Sequence, residues 1–482
     1  MLDAGSVRRE KIHLTGVIQL MVWFRVIVRM TVLVLLAGCA SIRNDPVNRP
    51  ITNAGIAPEI ARDDPLHADD LLIGFSFSGG GTRAAAFSFG VLVEADRARL
   101  PGGNTAVSLL DRLDFVSGVS GGAVTAAYYG LKKRAALDDF RENFLLRDAE
   151  ESLTVNLTLA SVSRALAGGI NDSSNFPRWL DDNLFHGATL GELRTTRRPR
   201  IWINASDIYN RTPFVFGATA FNAICSDLNS YPIATAVAAS AAVPVVFAPV
   251  VLKTFPQDCG SRLPEWIERA LRNPNAAPML KAFAAGIARY RSGTMPYIKL
   301  LDGGLVDNFG LSGFTIARLS AETPYGPLTP RQGVALRRML FLVVDAGRGP
   351  AGDWINTVEG PGASDLVVAA ADTAIDAGVR ASFTAFESTN LEWQTALIRW
   401  RCGLSAAERQ RLGASPGWNC RDVKFFLGRV SFDQLGAERA ASLNAIATRF
   451  KLPAAAVDEL IAAGGDALRA NPTYRAFLGS LR

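Results

Sequence analysis

The segment that most constrains the fold is an apolar run that reaches a serine between glycines and continues into small residues. Residues 114–124 read Asp-Phe-Val-Ser-Gly-Val-Ser-Gly-Gly-Ala-Val, with Gly118 and Gly122 two positions on either side of Ser120. This order predicts a strand, a tight turn and a helix, because the two glycines remove side chains that would collide in the turn. Such an elbow exposes the Ser120 hydroxyl, whereas an ordinary glycine–serine turn would leave it without a special role.

A second strand–turn–helix unit lies upstream and carries three glycines. The apolar run 71–77 leads into Ser-Gly-Gly-Gly-Thr-Arg at 78–83, and a helix-like run follows. Bare amides at Gly79, Gly80 and Gly81, with the positive end of a helix dipole behind them, suit an oxyanion or a phosphate, and Arg83 adds a full positive charge. A dinucleotide-binding turn is the alternative, but Ala84 stands where its third glycine belongs.

The third unit is the strand-like run 298–301, which ends in Asp302-Gly303-Gly304. An acid there is either a general base or part of an ordinary Asp-Gly turn. The chain has three histidines, His13, His67 and His186, and none follows Asp302 as the order of an α/β-hydrolase triad requires. We therefore expect Asp302 to activate Ser120 directly, and His186, which lies beside apolar residues, to be structural or superficial.

These motifs, in this order, resemble those of the patatin-like phospholipase family. The segment 239–244, Ala-Ser-Ala-Ala-Val-Pro, also looks like a helix-ending block of that family. The resemblance covers roughly residues 70–350. It departs from the family pattern at 308–310, where Asn-Phe-Gly lacks the proline that often follows the Asp-Gly-Gly turn.

The resemblance implies an α/β fold of three layers with a mostly parallel central sheet, and a lipid acyl hydrolase of the phospholipase A or lysophospholipase type. Ser120 would be the nucleophile and Asp302 its base, the amides of Gly79 to Gly81 would form the oxyanion hole, and Arg83 would bind the substrate phosphate. No metal or organic cofactor is implied. The alternative is a non-catalytic lipoprotein that binds lipid or a partner. Nucleotide binding fits less well, since the glycine loop lacks a Walker ending.

Strand and helix signals alternate along the chain, which predicts a parallel sheet covered by helices on both faces. We expect strands near 71–77, 114–119, 201–205, 297–301 and 339–345. The predicted organisation is a signal segment (1–38), a tether (39–70), a catalytic core (71–350) with insertions at 135–200 and 255–295, and a C-terminal helical extension (351–482) with a strand near 424–431.

The amino terminus predicts export. Arg25 and Arg29 precede the short apolar run 31–36, and Leu-Ala-Gly-Cys at 36–39 resembles a bacterial lipobox. The resemblance implies diacylation of Cys39, cleavage before it and a membrane anchor, with Met1 and Met21 both open as the start. Because Ala40 replaces the aspartate that retains lipoproteins at the inner membrane, we expect the outer membrane of a Gram-negative bacterium, or a periplasm-facing location.

The cysteine count agrees with an exported protein, and the net charge limits the classes of partner. The remaining cysteines are Cys225, Cys259, Cys402 and Cys420, and an oxidising compartment favours the local disulfides Cys225–Cys259 and Cys402–Cys420. The two other connectivities and free thiols stay open. The net charge is +6, of which +3 lies in residues 1–38, so the mature chain is too weakly basic to predict nucleic-acid binding.

The insertion 135–200 allows two interpretations. It contains a largely apolar segment (153–170) followed by a basic run of Arg194, Arg197, Arg198 and Arg200. These are either a lid with a lipid-surface patch or a buried helix followed by a solvated loop.

Overall fold

The computed structural model describes residues 44–51, 69–100, 107–153, 168–195, 198–259, 263–349 and 353–481. The predicted signal segment, Cys39, His13, His67, Arg197 and residues 154–167 of the apolar segment lie outside the described residues. So does most of the predicted tether.

The strands in the described ranges are β1 Leu71–Phe77, β2 Arg99–Leu100, β3 Val107–Ser108, β4 Phe115–Val119, β5 Arg200–Asp207, β6 Thr212–Val215, β7 Val250–Lys253, β8 Tyr297–Asp302, β9 Arg338–Asp345 and β10 Lys424–Ser431. Eight of them form one mixed sheet whose main path runs β10-β9-β1-β4-β5-β8-β7, with β6 paired to β5, and β2 and β3 form a separate hairpin. The strands β10, β9, β1, β4 and β5 are parallel neighbours, whereas β6, β7 and β8 pair antiparallel. The expected α/β class is confirmed.

Helices cover both faces of the sheet. Their bounds are α1 Gly81–Arg97, α2 Gly121–Lys132, α3 Ala136–Phe140, α4 Asn175–Leu180, α5 Leu190–Thr195, α6 Ala218–Ala223, α7 Ile233–Ser240, α8 Glu265–Arg272, α9 Pro278–Arg291, α10 Gly304–Asp307, α11 Ser312–Leu319, α12 Pro330–Ala335, α13 Ala363–Cys402, α14 Ala406–Arg411, α15 Ala437–Ala445, α16 Ala454–Ala470 and α17 Pro472–Gly479. No helix within the described ranges combines the length and the apolar character needed to cross a bilayer.

The three layers follow from the alternation of side chains along the strands. In β9, Leu340, Leu342 and Val344 join the apolar cluster beneath α1, α2 and α16, whereas Met339 and Phe341 join a second cluster with residues of α11 and α13. Successive strand residues point to opposite faces, so a continuously apolar strand must be covered on both sides. The sheet is therefore the middle layer of an α/β/α fold.

The C-terminal region belongs to this core, although the sequence suggested an extension after residue 350. The strand β10 pairs in parallel with β9 along its whole length, from Lys424 to Ser431. On one face of the sheet α16 packs against α1, and a side chain at Gly90 of α1 would collide with the carbonyl oxygen of Ile461. The strand predicted near 424–431 is therefore the one that completes the parallel part of the sheet.

Part of the predicted tether is also docked. The side-chain amide of Asn48 donates to the carbonyl oxygen of Lys253 at 2.8 Å, and the Lys253 N–H donates to Asn48 Oδ1 at 2.9 Å. Since β7 is an edge strand, this amide satisfies backbone groups that would otherwise be open for pairing. Asn48 therefore caps the end of the edge strand, which the lack of apolar periodicity in the sequence did not reveal.

The four described cysteines form Cys225–Cys259 and Cys402–Cys420. This is the local connectivity that their spacing favours. The second disulfide joins the end of α13 to the segment that leads into β10.

Two helix-interior glycines should respond in opposite ways to substitution, because one lies in the close packing of α1 on α16 and the other meets no neighbouring atom. Gly90→Ala should lower the free energy of unfolding by about 1–3 kcal/mol, because the added methyl group meets the backbone of Ile461. Gly378→Ala in α13, where the methyl group meets no atom within 4 Å, should raise it by about 0.5–1 kcal/mol. Urea denaturation of both variants tests this, and a Gly90→Ala protein as stable as Gly378→Ala would contradict the packing.

Candidate active site

Ser120 lies at the turn between β4 and α2, as the sequence predicts. Its backbone has φ 52° and ψ −122°, a conformation that costs a non-glycine residue on the order of 1–3 kcal/mol. A Cβ at Gly118 would lie 2.6 Å from the carbonyl oxygen of Gly122, and a Cβ at Gly122 would lie 2.5 Å from that of Ser78. Both glycines therefore allow α2 to start directly against the ends of β1 and β4.

The end of α7 holds this turn in place. Ser240 Oγ accepts the N–H of Ser120 at 2.9 Å and donates to the carbonyl oxygen of Asn204 at 2.5 Å. The same segment holds the Asp302 turn, since the Asp302 N–H donates to Ala242 O at 2.8 Å and the Gly303 N–H to Ser240 O at 3.1 Å. The block 239–244 is thus the link that brings two distant sequence motifs together.

Asp302 ends β8 beside Ser120, but β8 runs antiparallel to β5. The sequence suggested instead that Asp302 lies at the carboxyl end of a parallel strand. Ala205 of β5 pairs with Asp302, and the neighbouring Asn204 pairs with Val119. The antiparallel strand therefore stops level with the serine turn, where the parallel strands end.

Burial raises the pKa of the Asp302 carboxyl to about 6, and this is the largest influence on it. Two hydrogen-bonding interactions act in the opposite direction, one with the Ser120 side chain and one from the Gly304 N–H at 2.8 Å. A carboxyl with this pKa is mostly ionised at neutral pH and is a stronger base than an exposed aspartate. It interacts with the side chain of Ser120, the expected nucleophile.

The glycine loop is only partly free to bind an anion. The Gly79 N–H already donates to Asn308, at 3.3 Å to the carbonyl and 3.2 Å to Oδ1. Gly80 and Gly81 have φ values of 139° and 59°, which favour glycine, and no acceptor pairs with their amides in the described part of the chain. Two of the three expected amides are therefore available, and Asn308, in the segment without the family proline, anchors the loop to the Asp302 turn.

Arg83 is 2% exposed and lies behind this loop. Nη1 donates to Ile446 O at 2.9 Å, whereas Nε has no partner among the described residues. Burial, followed by the charge of Arg348, lowers the pKa of Arg83 to about 10, so the guanidinium is charged at neutral pH. No ion pair to an acid was found for it in the described ranges, which leaves donors for a ligand.

These residues share one cavity of about 590 Å³. Part of its wall is apolar and includes Leu153, Val243 to Phe247, Leu305, Ile375 and Phe450. The remaining wall carries charged side chains from the C-terminal half, namely Arg348, Asp372, Asp376 and Arg449, with Glu150. Sequence analysis missed this charged wall; the Asp372–Asp376 spacing of one helical turn was its signal.

Two predicted candidates lie elsewhere. His186 is exposed at a left-handed turn after α4, and among the described residues no histidine lines the cavity. Arg198 forms an ion pair with buried Asp114 at 3.0 Å, where β4 and β5 begin. Since β4 is parallel to β5 and Ser120 follows the other end of β4, Arg198 and Arg200 lie at the opposite end of these strands from Ser120.

A sequence model of a family described as patatin-like phospholipase matches residues 75–315, half of the chain. The chain belongs to this family. The matched range contains the glycine loop, Ser120 and Asp302, whereas Arg348, Asp372 and Asp376 of the cavity wall lie beyond it. No curated protein sequence matches the chain.

Among solved structures, human GIVD cytosolic phospholipase A2 resembles the chain with 12% sequence identity and a TM-score of 0.39. The match covers 85% of this chain and 62% of that chain. This chain thus spans less than two thirds of the length of that protein.

The raised pKa of Asp302 predicts a pH-dependent gain in stability for Asp302→Asn. The unfolded carboxyl has a pKa near 3.9, so the folded wild type loses stability as pH rises from about 4 to about 6 and stays penalised above that. At pH 8 the variant should therefore be more stable by about 2–3 kcal/mol, and near pH 3 the difference should vanish. Denaturation curves at both pH values test this; a difference independent of pH would contradict it.

The hydrogen bonds of Ser240 predict that its replacement lowers ester turnover as well as stability. Ser240→Ala leaves the buried Ser120 N–H without an acceptor, which should lower the free energy of unfolding by about 1–3 kcal/mol. Because that amide sets the serine turn, ester turnover should also fall at temperatures where the variant is fully folded. Ser117→Ala, which removes a buried hydroxyl bonded to Gly310 O at 2.8 Å, is the matched control and should affect stability alone. Equal turnover in the two folded variants would refute the role of Ser240.

Proposed function

We propose that this protein is a lipid acyl hydrolase of the phospholipase A or lysophospholipase type, with Ser120 as nucleophile and Asp302 as general base. The observation that carries the proposal is the buried Asp302 carboxyl, its pKa raised to about 6, which interacts with the side chain of a serine on a strained turn and lines the same cavity. Membership of the patatin-like phospholipase family supports the same chemistry.

In the first step Ser120 Oγ attacks the ester carbonyl carbon while Asp302 takes the hydroxyl proton. The tetrahedral intermediate collapses, the alcohol leaves with the proton from Asp302, and an acyl-serine remains. Asp302 then deprotonates a water molecule that attacks the acyl group, and the proton returns to Ser120 as the fatty acid is released. These steps are completed by the two side chains and water, so the proposal includes no metal or organic cofactor.

The developing oxyanion would be bound by the free amides of Gly80 and Gly81 at the amino end of α1. Amides directed at a forming negative charge are typically worth about 10²–10³ in rate for each donor lost. Arg83 would bind the phosphate of a phospholipid, since its side chain lines the cavity and forms no ion pair with an acid in the described ranges. The apolar wall at Val243 to Phe247 would accept the acyl chain.

The location of the protein is a further part of this proposal. A lipobox at 36–39 supports a diacylated Cys39 and a membrane anchor on the outer membrane or facing the periplasm. Disulfides at Cys225–Cys259 and Cys402–Cys420 support an oxidising compartment. An anchored enzyme would meet its lipid substrates at the membrane surface.

The test is hydrolysis of mixed phospholipids by the purified protein, with the released products identified by mass spectrometry. We expect fatty acids and lysophospholipids from the wild type, loss of both in Ser120→Ala, and near wild-type release in the control His186→Ala. Unchanged release in Ser120→Ala would refute the nucleophile. Lipid binding without products from the wild type would favour the non-catalytic lipid-binding alternative.

A further inference from the structure

The cavity contains charged side chains that the proposed ester cleavage does not use. Among them, Arg449 and Glu150 neutralise each other, because Arg449 Nε donates to Glu150 Oε1 at 3.1 Å. Glu150 also accepts the N–H of Phe450 at 3.0 Å. This pair joins two segments of the cavity wall, and it leaves Arg348, Asp372 and Asp376 to be explained.

Asp372 and Asp376 lie one turn apart on α13 and both line the cavity. Two carboxylates at this spacing repel each other and destabilise a helix. Neither receives a hydrogen bond or an ion pair from the residues that the structure describes. Burial and then the charge of Asp372 raise the pKa of Asp376, whereas Arg380 on the next turn lowers it. A cation between the two carboxylates would relieve this repulsion.

Arg83 and Arg348 form the opposite pair on another part of the wall. The charge of Arg348 lowers the pKa of Arg83, so the two guanidinium groups repel each other. The Asp345 carboxyl, whose charge raises the pKa of Arg83, is already engaged, since it pairs with Arg429 at 3.5 Å and accepts the Gly347 N–H at 2.7 Å. An anion between Arg83 and Arg348 would relieve the repulsion.

The two pairs influence each other without touching. The charge of Asp372 raises the pKa of Arg83, yet no ion pair within 4.0 Å joins these residues in the described ranges. Besides Asp302 and the Glu150–Arg449 pair, the cavity thus holds two arginines and two aspartates in separate like-charged pairs. A ligand that carries one negative and one positive group would satisfy both pairs at once.

We propose that this wall is a head-group subsite that selects zwitterionic phospholipids, with the phosphate between Arg83 and Arg348 and the ammonium group between Asp372 and Asp376. This inference rests on the proposed function, because it takes the ester to lie at Ser120. A head group without a cation, such as the glycerol of phosphatidylglycerol, would leave the two carboxylates unpaired, which disfavours it. Arg348, Asp372 and Asp376 lie outside the family match, so the preference belongs to the C-terminal half of this chain.

Competition between two lipids in one vesicle tests the subsite. Vesicles of phosphatidylethanolamine and phosphatidylglycerol with identical acyl chains are incubated with the full-length protein, and the ratio of the two kcat/KM values is measured. We expect the wild type to prefer phosphatidylethanolamine and Asp372→Asn/Asp376→Asn to lose at least tenfold of that preference, mainly through slower hydrolysis of phosphatidylethanolamine. The control Glu387→Gln/Glu392→Gln removes two carboxylates from the same helix outside the cavity and should keep the ratio.

A binding measurement separates this inference from the proposed function. Calorimetry on the Ser120→Ala background uses dihexanoyl phosphatidylethanolamine and dihexanoyl phosphatidylglycerol below their micelle concentrations. A preference for the zwitterion that the two aspartate changes abolish would support the subsite even if the wild type hydrolysed nothing. Hydrolysis with no head-group preference, or equal losses on both lipids, would overturn the subsite and leave the hydrolase proposal standing.

A single charge-reversal variant tests the subsite independently of whether the double variant folds. Asp376→Lys should shift the preference toward phosphatidylglycerol, because it places a cation where the ammonium group would bind. Thermal melts of all variants show whether they are folded. An unshifted ratio in folded Asp376→Lys would overturn the proposal.

Discussion

The contact between the buried Asp302 carboxyl and the Ser120 side chain is the interaction on which the rest of the site depends. Burial raises the pKa of the carboxyl to about 6, and the hydrogen-bonding interaction with Ser120 partly offsets this effect. The fold must therefore hold a destabilised charge and a strained serine turn next to each other. It does so through Ser240 and Ala242, whose backbone and side-chain groups bond to both segments.

The C-terminal half supplies much of the surrounding structure. The Thr82 N–H of the glycine loop donates to Arg449 O at 2.8 Å, and Arg83 donates to Ile446 O. Helix α16 packs on α1 closely enough to require Gly90. The glycine loop is thus supported by residues more than 350 positions away in the chain, and the family match alone does not contain a complete cavity.

Local motifs were predictable from the sequence because strand–turn–helix units depend on residues close together in the chain. The elbow at Ser120, the loop at Gly79 to Gly81 and the turn at Asp302 are of this kind. Features that depend on pairing between distant segments were not predictable. The antiparallel direction of β8, the addition of β10 to the sheet and the use of the Gly79 amide by Asn308 arise from tertiary contacts that no short pattern encodes.

The charged wall of the cavity was also not predictable from the sequence. Asp372 and Asp376 read as the solvated face of a long helix, and only the fold places them in a cavity with Arg83 and Arg348. The two like-charged pairs indicate a ligand with both charges only because they line the same cavity.

The most direct test of the central claim, that Asp302 activates Ser120, is the rate and site of covalent labelling by a fluorophosphonate at pH 8. The account predicts a single label on Ser120 in the wild type, found by peptide mass spectrometry, and labelling slower by about 10² or more in Asp302→Asn. Labelling of a different serine, or equal rates in the two proteins, would contradict it.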